Sequence, residues 1–277
     1  MSEYEQRFSN TPGLFGIGVN AKNARRRVGS KGLSAVGQAR VLVDFAAGME
    51  KRLAAISQLH PQLDHADIQR IQRIDAYVQR MARSYLSAGK LPDWSKSLSK
   101  DIKQFFRLRQ LLSQPNAQTV TIRLGHDVAE AALRAPRGPA GYLAALISRQ
   151  LKALGIETEL VFNLEFIHGA CIENHPMHIH GALRIPDGQI SVVTEALRKC
   201  LASTYRSRWR NLAVKLEKPQ KGGFWPCYCV KESAVTVEVL SRHGVRTPSA
   251  SYSTRSQTQM TREFYSQIDT WLSTDLT

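Results

Sequence analysis

The stretches TELVFNLEFI (158–167) and MHIHGALRI (177–185) decide the fold. Each has the length of a buried strand and is dominated by apolar side chains. Pro186-Asp187-Gly188 then marks a turn. In a strand, residues i and i+2 project from one face. His178 and His180 therefore point the same way, and Ile179 points into the opposite layer. With a rise of ~3.3 Å per residue the two rings are rooted roughly 6–7 Å apart, so their nitrogens can converge on one ion. The preceding strand offers Glu165 as a third ligand, with Asn163 on the same face. Two imidazoles and a carboxylate leave coordination positions for water and a substrate oxygen. The plainer alternative is a pair of half-buried histidines bonded to backbone. His126, His168 and His175 are further candidate ligands.

Outward from these strands the pattern continues. QTVTIRL (118–124) alternates and is β-branched, which predicts a first strand. Residues 139–154 predict a helix that opens on Pro139 and that Gly155 can end. Residues 190–202 predict a second helix, with Val192, Val193, Ala196, Leu197 and Leu201 on its apolar side, and 211–217 a fourth strand. The order β-α-β-β-α-β is that of a ferredoxin-like split βαβ antiparallel sheet, so the class expected is α+β.

Before this domain, residues 33–113 predict a helical region from apolar spacings of three and four. Residues 1–32, with the run Arg25-Arg26-Arg27, read as a basic flexible arm. The sheet domain is expected over 114–236 and a basic tail with one helix, 259–272, over 237–277. Lys and Arg number 38 against 23 Asp and Glu, a net charge of +15 that favours a polyanionic partner. Arg206, Arg208 and Arg210, beside Tyr205 and Trp209, look like a DNA-contact surface. No apolar run is long enough to span a membrane, and the N-terminus lacks a secretory layout. A reducing, cytoplasmic setting with free thiols is expected for the four cysteines.

The segment FWPCYCVKE (224–232) predicts a helix opening at Pro226. Tyr228 and Lys231 are three apart and share a face. A phenol is a weak nucleophile until something favours its phenolate, and a nearby cation does that. Tyr205 is the rival tyrosine.

Together, His178-Ile179-His180 and Tyr228-x-x-Lys231 resemble the motifs of the HUH endonucleases, in the order of the Rep branch: rolling-circle replication initiators and related transposases. YCVKE (228–232) looks particularly like the viral Rep segment. Relaxases place their tyrosine before the histidines. The resemblance covers about 118–235, and the family's first motif maps on Val120-Thr121-Ile122. No Gly-x-x-x-x-Gly-Lys-Ser/Thr occurs in these 277 residues, so the ATP-driven helicase fused to many viral Reps has no counterpart in them. The resemblance implies phosphate chemistry at a divalent ion on His178, His180 and Glu165, which points to Mg²⁺ or Mn²⁺, though imidazole would also accept zinc. It implies attack by Tyr228 on single-stranded or hairpin DNA, with Lys231 positioning or neutralising the centre. A replication origin and a host helicase would be the partners. A transposase with the same chemistry and a non-catalytic basic DNA-binding protein remain the alternatives.

Overall fold

A computed structural model describes residues 93–96, 98–166, 175–205, 207–219 and 224–274. Arg25, Arg26, Arg27, Arg206, His168 and most of the expected helical region 33–113 lie outside those residues. The strands are β1 (Ala117–Arg123), β2 (Leu160–Phe166), β3 (Met177–Arg184), β4 (Val214–Glu217) and β5 (Ser251–Ser253). The helices are α1 (Lys100–Leu112), α2 (His126–Arg134), α3 (Gly138–Ala153), α4 (Ile190–Leu201), α5 (Phe224–Val230), α6 (Ser233–Arg242) and α7 (Arg255–Thr274).

The chain divides into two compact units. One holds Arg107–Pro219 and Glu232–Thr258 and contains the whole sheet. Its strand order is β4-β1-β3-β2-β5, and every neighbouring pair is antiparallel. Hence β1 and β2 run the same way with β3 between them, which is the split βαβ arrangement expected. Val120, Ile122, Phe162, Leu164, Ile179 and Val214 fill one face of the sheet and pack with α2, α3 and α4 through Ala129, Leu143, Ile147, Val193 and Leu197. The class is α+β, built on a five-stranded antiparallel sheet.

Local chemistry explains the boundaries. After α3, Gly155 adopts φ 72°. Its N–H donates to Lys152 O at 3.0 Å, and that of Ile156 to Leu151 O at 2.9 Å. This is a Schellman stop, and only glycine takes that φ without a Cβ penalty. The fourth strand starts at Val214 rather than at 211, because Ser207–Leu212 coils into a 3-10 turn. Three elements went unread in the sequence: α2, α6 and β5. The last two cover the outer edge of β2. β5 pairs with Val161, Phe162 and Asn163. Beyond it, Leu164 N–H donates to Ala250 O at 2.6 Å, and Thr236 of α6 donates to Leu164 O at 3.1 Å. An open edge would offer unpaired backbone groups to another chain.

The other unit comprises Met1–Phe106, Gln220–Lys231 and Gln259–Thr277. Within it, Trp94, Phe106 and Tyr265 form an aromatic cluster, with centroids 5.1 Å apart for Trp94–Tyr265 and 5.3 Å for Phe106–Tyr265. Among the described residues no helix is long and apolar enough to cross a membrane.

β3 comes close to the β2 backbone at Gly181. A Cβ there would sit 2.7 Å from Phe162 Cα and closer still to Val161 O, both backbone atoms. Gly181→Ala must push β3 away from β2. It should cost about 1–3 kcal/mol, the range typical of overpacking, and lower the midpoint of thermal unfolding followed by circular dichroism.

Candidate metal centre

The face of the sheet opposite the core is polar. Antiparallel register builds two cross-strand rows on it. One is Glu165–His178–Arg123, the other Asn163–His180–Thr121–Lys215. Strand alternation puts these side chains on one side and their neighbours Leu164, Ile179 and Ile122 in the core. Glu165, His178 and His180 are all buried, at 7%, 5% and 6% exposure. A buried carboxylate is costly unless something compensates it.

The three side chains converge. His178 Nε2 lies 3.9 Å from Glu165 Oε1, and His180 Nε2 lies 3.8 Å from Glu165 Oε2. The two rings meet edge to face with centroids 4.6 Å apart. One ligand atom from each residue can be chosen so that all lie within 4.8 Å of one another, the sole group of three or more such side chains among the described residues. Ligands at about 2.0–2.2 Å from one ion stand roughly 3–3.5 Å from each other. A small closing movement therefore brings this set onto a divalent ion.

Outer partners support the same reading. His178 Nδ1 lies 3.2 Å from Pro176 O. A carbonyl only accepts, so Nδ1 carries the proton in that contact, and Nε2 is the ring nitrogen turned to the carboxylate. Thr121 Oγ1 lies 3.1 Å from His180 Nδ1 and, able to donate or accept, orients that ring. Such contacts hold a metal-ligating imidazole in one tautomer and one orientation. Asn163 extends the row, donating from Nδ2 to Ser233 Oγ of α6 at 2.9 Å. The donor set therefore fits a divalent ion; the identity of the ion is open.

No family model, curated protein or solved structure matches this chain. Its site stands on its own geometry.

Of the other histidines, His175 works as a brace. Its Nδ1 accepts the Met177 N–H at 3.0 Å, where β3 begins, and its Nε2 lies 3.7 Å from Glu130. Burial first, and then the neighbouring His126, push its pKa below the ordinary value, while Glu130 pulls the other way. His126 is exposed and meets His175 edge to face. From the sequence His175 is a candidate ligand and Thr121 only part of a motif match; in the structure His175 instead receives the Met177 N–H, and Thr121 contacts the His180 ring. Thr121 shares its strand face with Arg123, so alternation combined with β1–β3 register could have found it.

Tyr228 and Lys231 belong to the other unit. The helix around them starts at Phe224, two residues before Pro226. Lys231 Nζ lies 4.0 Å from the centroid of the Tyr228 ring, so the i, i+3 expectation holds. Trp225 stacks on Tyr228 with centroids 5.5 Å apart and planes 15° from parallel. Lys231 thus makes a cation–π contact with the Tyr228 ring. The rival Tyr205 is buried beside Ala202 and Ala213. Arg208 and Arg210 lie in the 3-10 turn before β4.

Isothermal titration with Mn²⁺ should show binding that Glu165→Gln or His180→Ala abolishes. Thr121→Val should weaken it about 10–100-fold, the usual cost of losing an outer-shell partner, with the fold intact by circular dichroism.

His175 gives a pH prediction. Its folded pKa is depressed, so below about 6.5 the unfolded chain binds more protons and stability falls as the pH falls. His175→Asn keeps a short acceptor for the Met177 N–H but does not titrate. The acid slope of its unfolding midpoint should be shallower than that of the wild type.

Proposed function

We propose that this chain is a metal-dependent endonuclease of the HUH type that nicks and rejoins single-stranded DNA through Tyr228. The observation that carries the reading is the buried Glu165–His178–His180 set on the polar face of a split βαβ sheet. Three further facts support it. Tyr228 carries the Lys231 ammonium over its ring. Asn163, which pairs with His180, is itself held by Ser233, so the metal set is braced from outside its own strands. The net charge of +15 suits a polyanionic substrate.

Glu165, His178 and His180 would hold Mg²⁺ or Mn²⁺. Bound there, the ion supplies Lewis-acid stabilisation of charge on the scissile phosphate. Tyr228 gives up its phenolic proton to water, and its Oη attacks phosphorus in line. The Oη–P bond forms as the P–O3′ bond breaks. The 3′ oxygen leaves as a hydroxyl after taking a proton, and the 5′ phosphate stays on the tyrosine. Lys231 favours the phenolate before attack. The phosphotyrosine ester retains the energy of the broken linkage, so a 3′ hydroxyl can reverse the step without ATP. Initiation at a replication origin, with a host helicase opening the duplex, is the process that best uses such a reversible nick. A transposase would use the same step.

Incubation with labelled single-stranded oligonucleotides and Mn²⁺ should give a covalent protein–DNA band on a denaturing gel. Chelation and Tyr228→Phe should each remove the band; Tyr205→Phe should leave it. Absence of the band with every divalent metal tried would overturn the catalytic reading, and its survival in Tyr228→Phe would overturn the nucleophile.

A further inference from the structure

Arg123 is the last residue of β1 and has no role in the chemistry above. Its backbone is pinned, because its N–H donates to Ala213 O at 2.7 Å. It shares its strand face with Thr121, which reaches His180. Its Cα partner across the strands is His178. Paired residues on one face have Cβ atoms about 4.5–5.5 Å apart, so Arg123 flanks His178 on one side as Glu165 does on the other. Two strand spacings, roughly 9–10 Å, separate the Arg123 backbone from that of Glu165.

The charges on this face are otherwise matched. Lys215 pairs with Glu217 at 3.0 Å, and Arg184, at the far end of β3, pairs with Glu159 at 3.2 Å. Among the described residues no carboxylate pairs with Arg123, which is half-buried. Two neutral imidazoles and one carboxylate leave a divalent ion with one positive charge, and Arg123 adds another. A guanidinium beside a cation is repelled unless an anion lies between them. Its planar fork matches the oxygens of a phosphate.

We infer that Arg123 is the anion clamp of this site, binding a non-bridging oxygen of the phosphodiester whose phosphate the metal set receives. The inference rests on the reading of the site as phosphate-binding and names the residue that holds the substrate there. Arg123 restrains the phosphate against rotation, so that one face of phosphorus is presented to the nucleophile.

The test is binding, read apart from cleavage. Fluorescence anisotropy of a short labelled oligothymidylate in Mn²⁺ compares wild type, Arg123→Ala and Arg123→Lys, with Mn²⁺ affinity measured separately by calorimetry. Arg123→Ala should weaken oligonucleotide binding about ten-fold, the effect of one lost charge-assisted contact. It should also lower the slope of log affinity against log salt by about 0.7, the value for one phosphate on a single strand. Arg123→Lys should restore part of both, and Mn²⁺ affinity should stay at the wild-type value in all three proteins. Unchanged oligonucleotide binding in Arg123→Ala overturns the clamp. So does a parallel loss of Mn²⁺ binding in Arg123→Ala and Arg123→Lys, which would make the residue structural. Failure of the proposed function reads differently: the wild type binds the oligonucleotide and forms no covalent band.

Discussion

Everything at the candidate centre depends on the register between β2 and β3. Glu165 stands opposite His178, and Asn163 opposite His180, because Leu164 and Ile179 are both in the core. The side-chain period of a strand is two, so a slip of one residue would turn both histidines into the apolar layer. The cost of burying imidazoles among Phe162, Ile147 and Leu143 rules that slip out. The hydrophobic core thus sets the ligand geometry from the opposite face of the sheet. Gly181 strengthens the constraint, since its missing Cβ lets β3 approach the β2 backbone.

The centre is layered. Glu165 and the two Nε2 atoms form its inner part. Pro176 O and Thr121 Oγ1 hold the opposite ring nitrogens. His175 fixes the entry to β3, and Ser233 fixes Asn163. The supports come from β1, from the segment before β3 and from α6, so the ligands on two strands are held from three further places. A centre built this way is preorganised, because little rearrangement remains when an ion arrives.

Much of this was legible in the sequence, for physical reasons. The strands at 118–124, 158–167 and 177–185 were readable because each is bounded by turn formers and carries an uninterrupted buried face. The helices at 139–154 and 190–202 were readable from their apolar spacing and, for the first, from Pro139 and Gly155. The pairing of Glu165 with the histidines followed from alternation and adjacency. What escaped notice depends on tertiary context. SYS (251–253) has no apolar signature and becomes a strand because the edge of β2 is there to receive it. α6 has apolar residues in plenty, but its buried positions are Ser233, Thr236 and Leu240, so apolar spacing does not mark its packed face, and Thr236 anchors it through a hydrogen bond. Asn211 and Leu212 look like the start of the fourth strand in sequence but belong to a 3-10 turn, where Ala213 N–H turns back to Arg210 O. Thr121 is an ordinary strand residue until register places His180 beside it.

The layering also has a consequence for the order of assembly during folding. The three ligands come from consecutive strands that are close in the chain, whereas the Thr121 contact to His180 spans 59 residues and the β1–β4 pairing closes loops as long as 98. Loop closure over such separations is slow compared with local pairing. The ligand pair of strands can therefore form early, with its histidines still free to choose tautomer and rotamer. Only when β1 docks between β3 and β4 does the ring of His180 acquire its Thr121 partner. A nascent chain would bind metal loosely at first and tightly once topology is complete, so metal retention would report the last long-range step of folding.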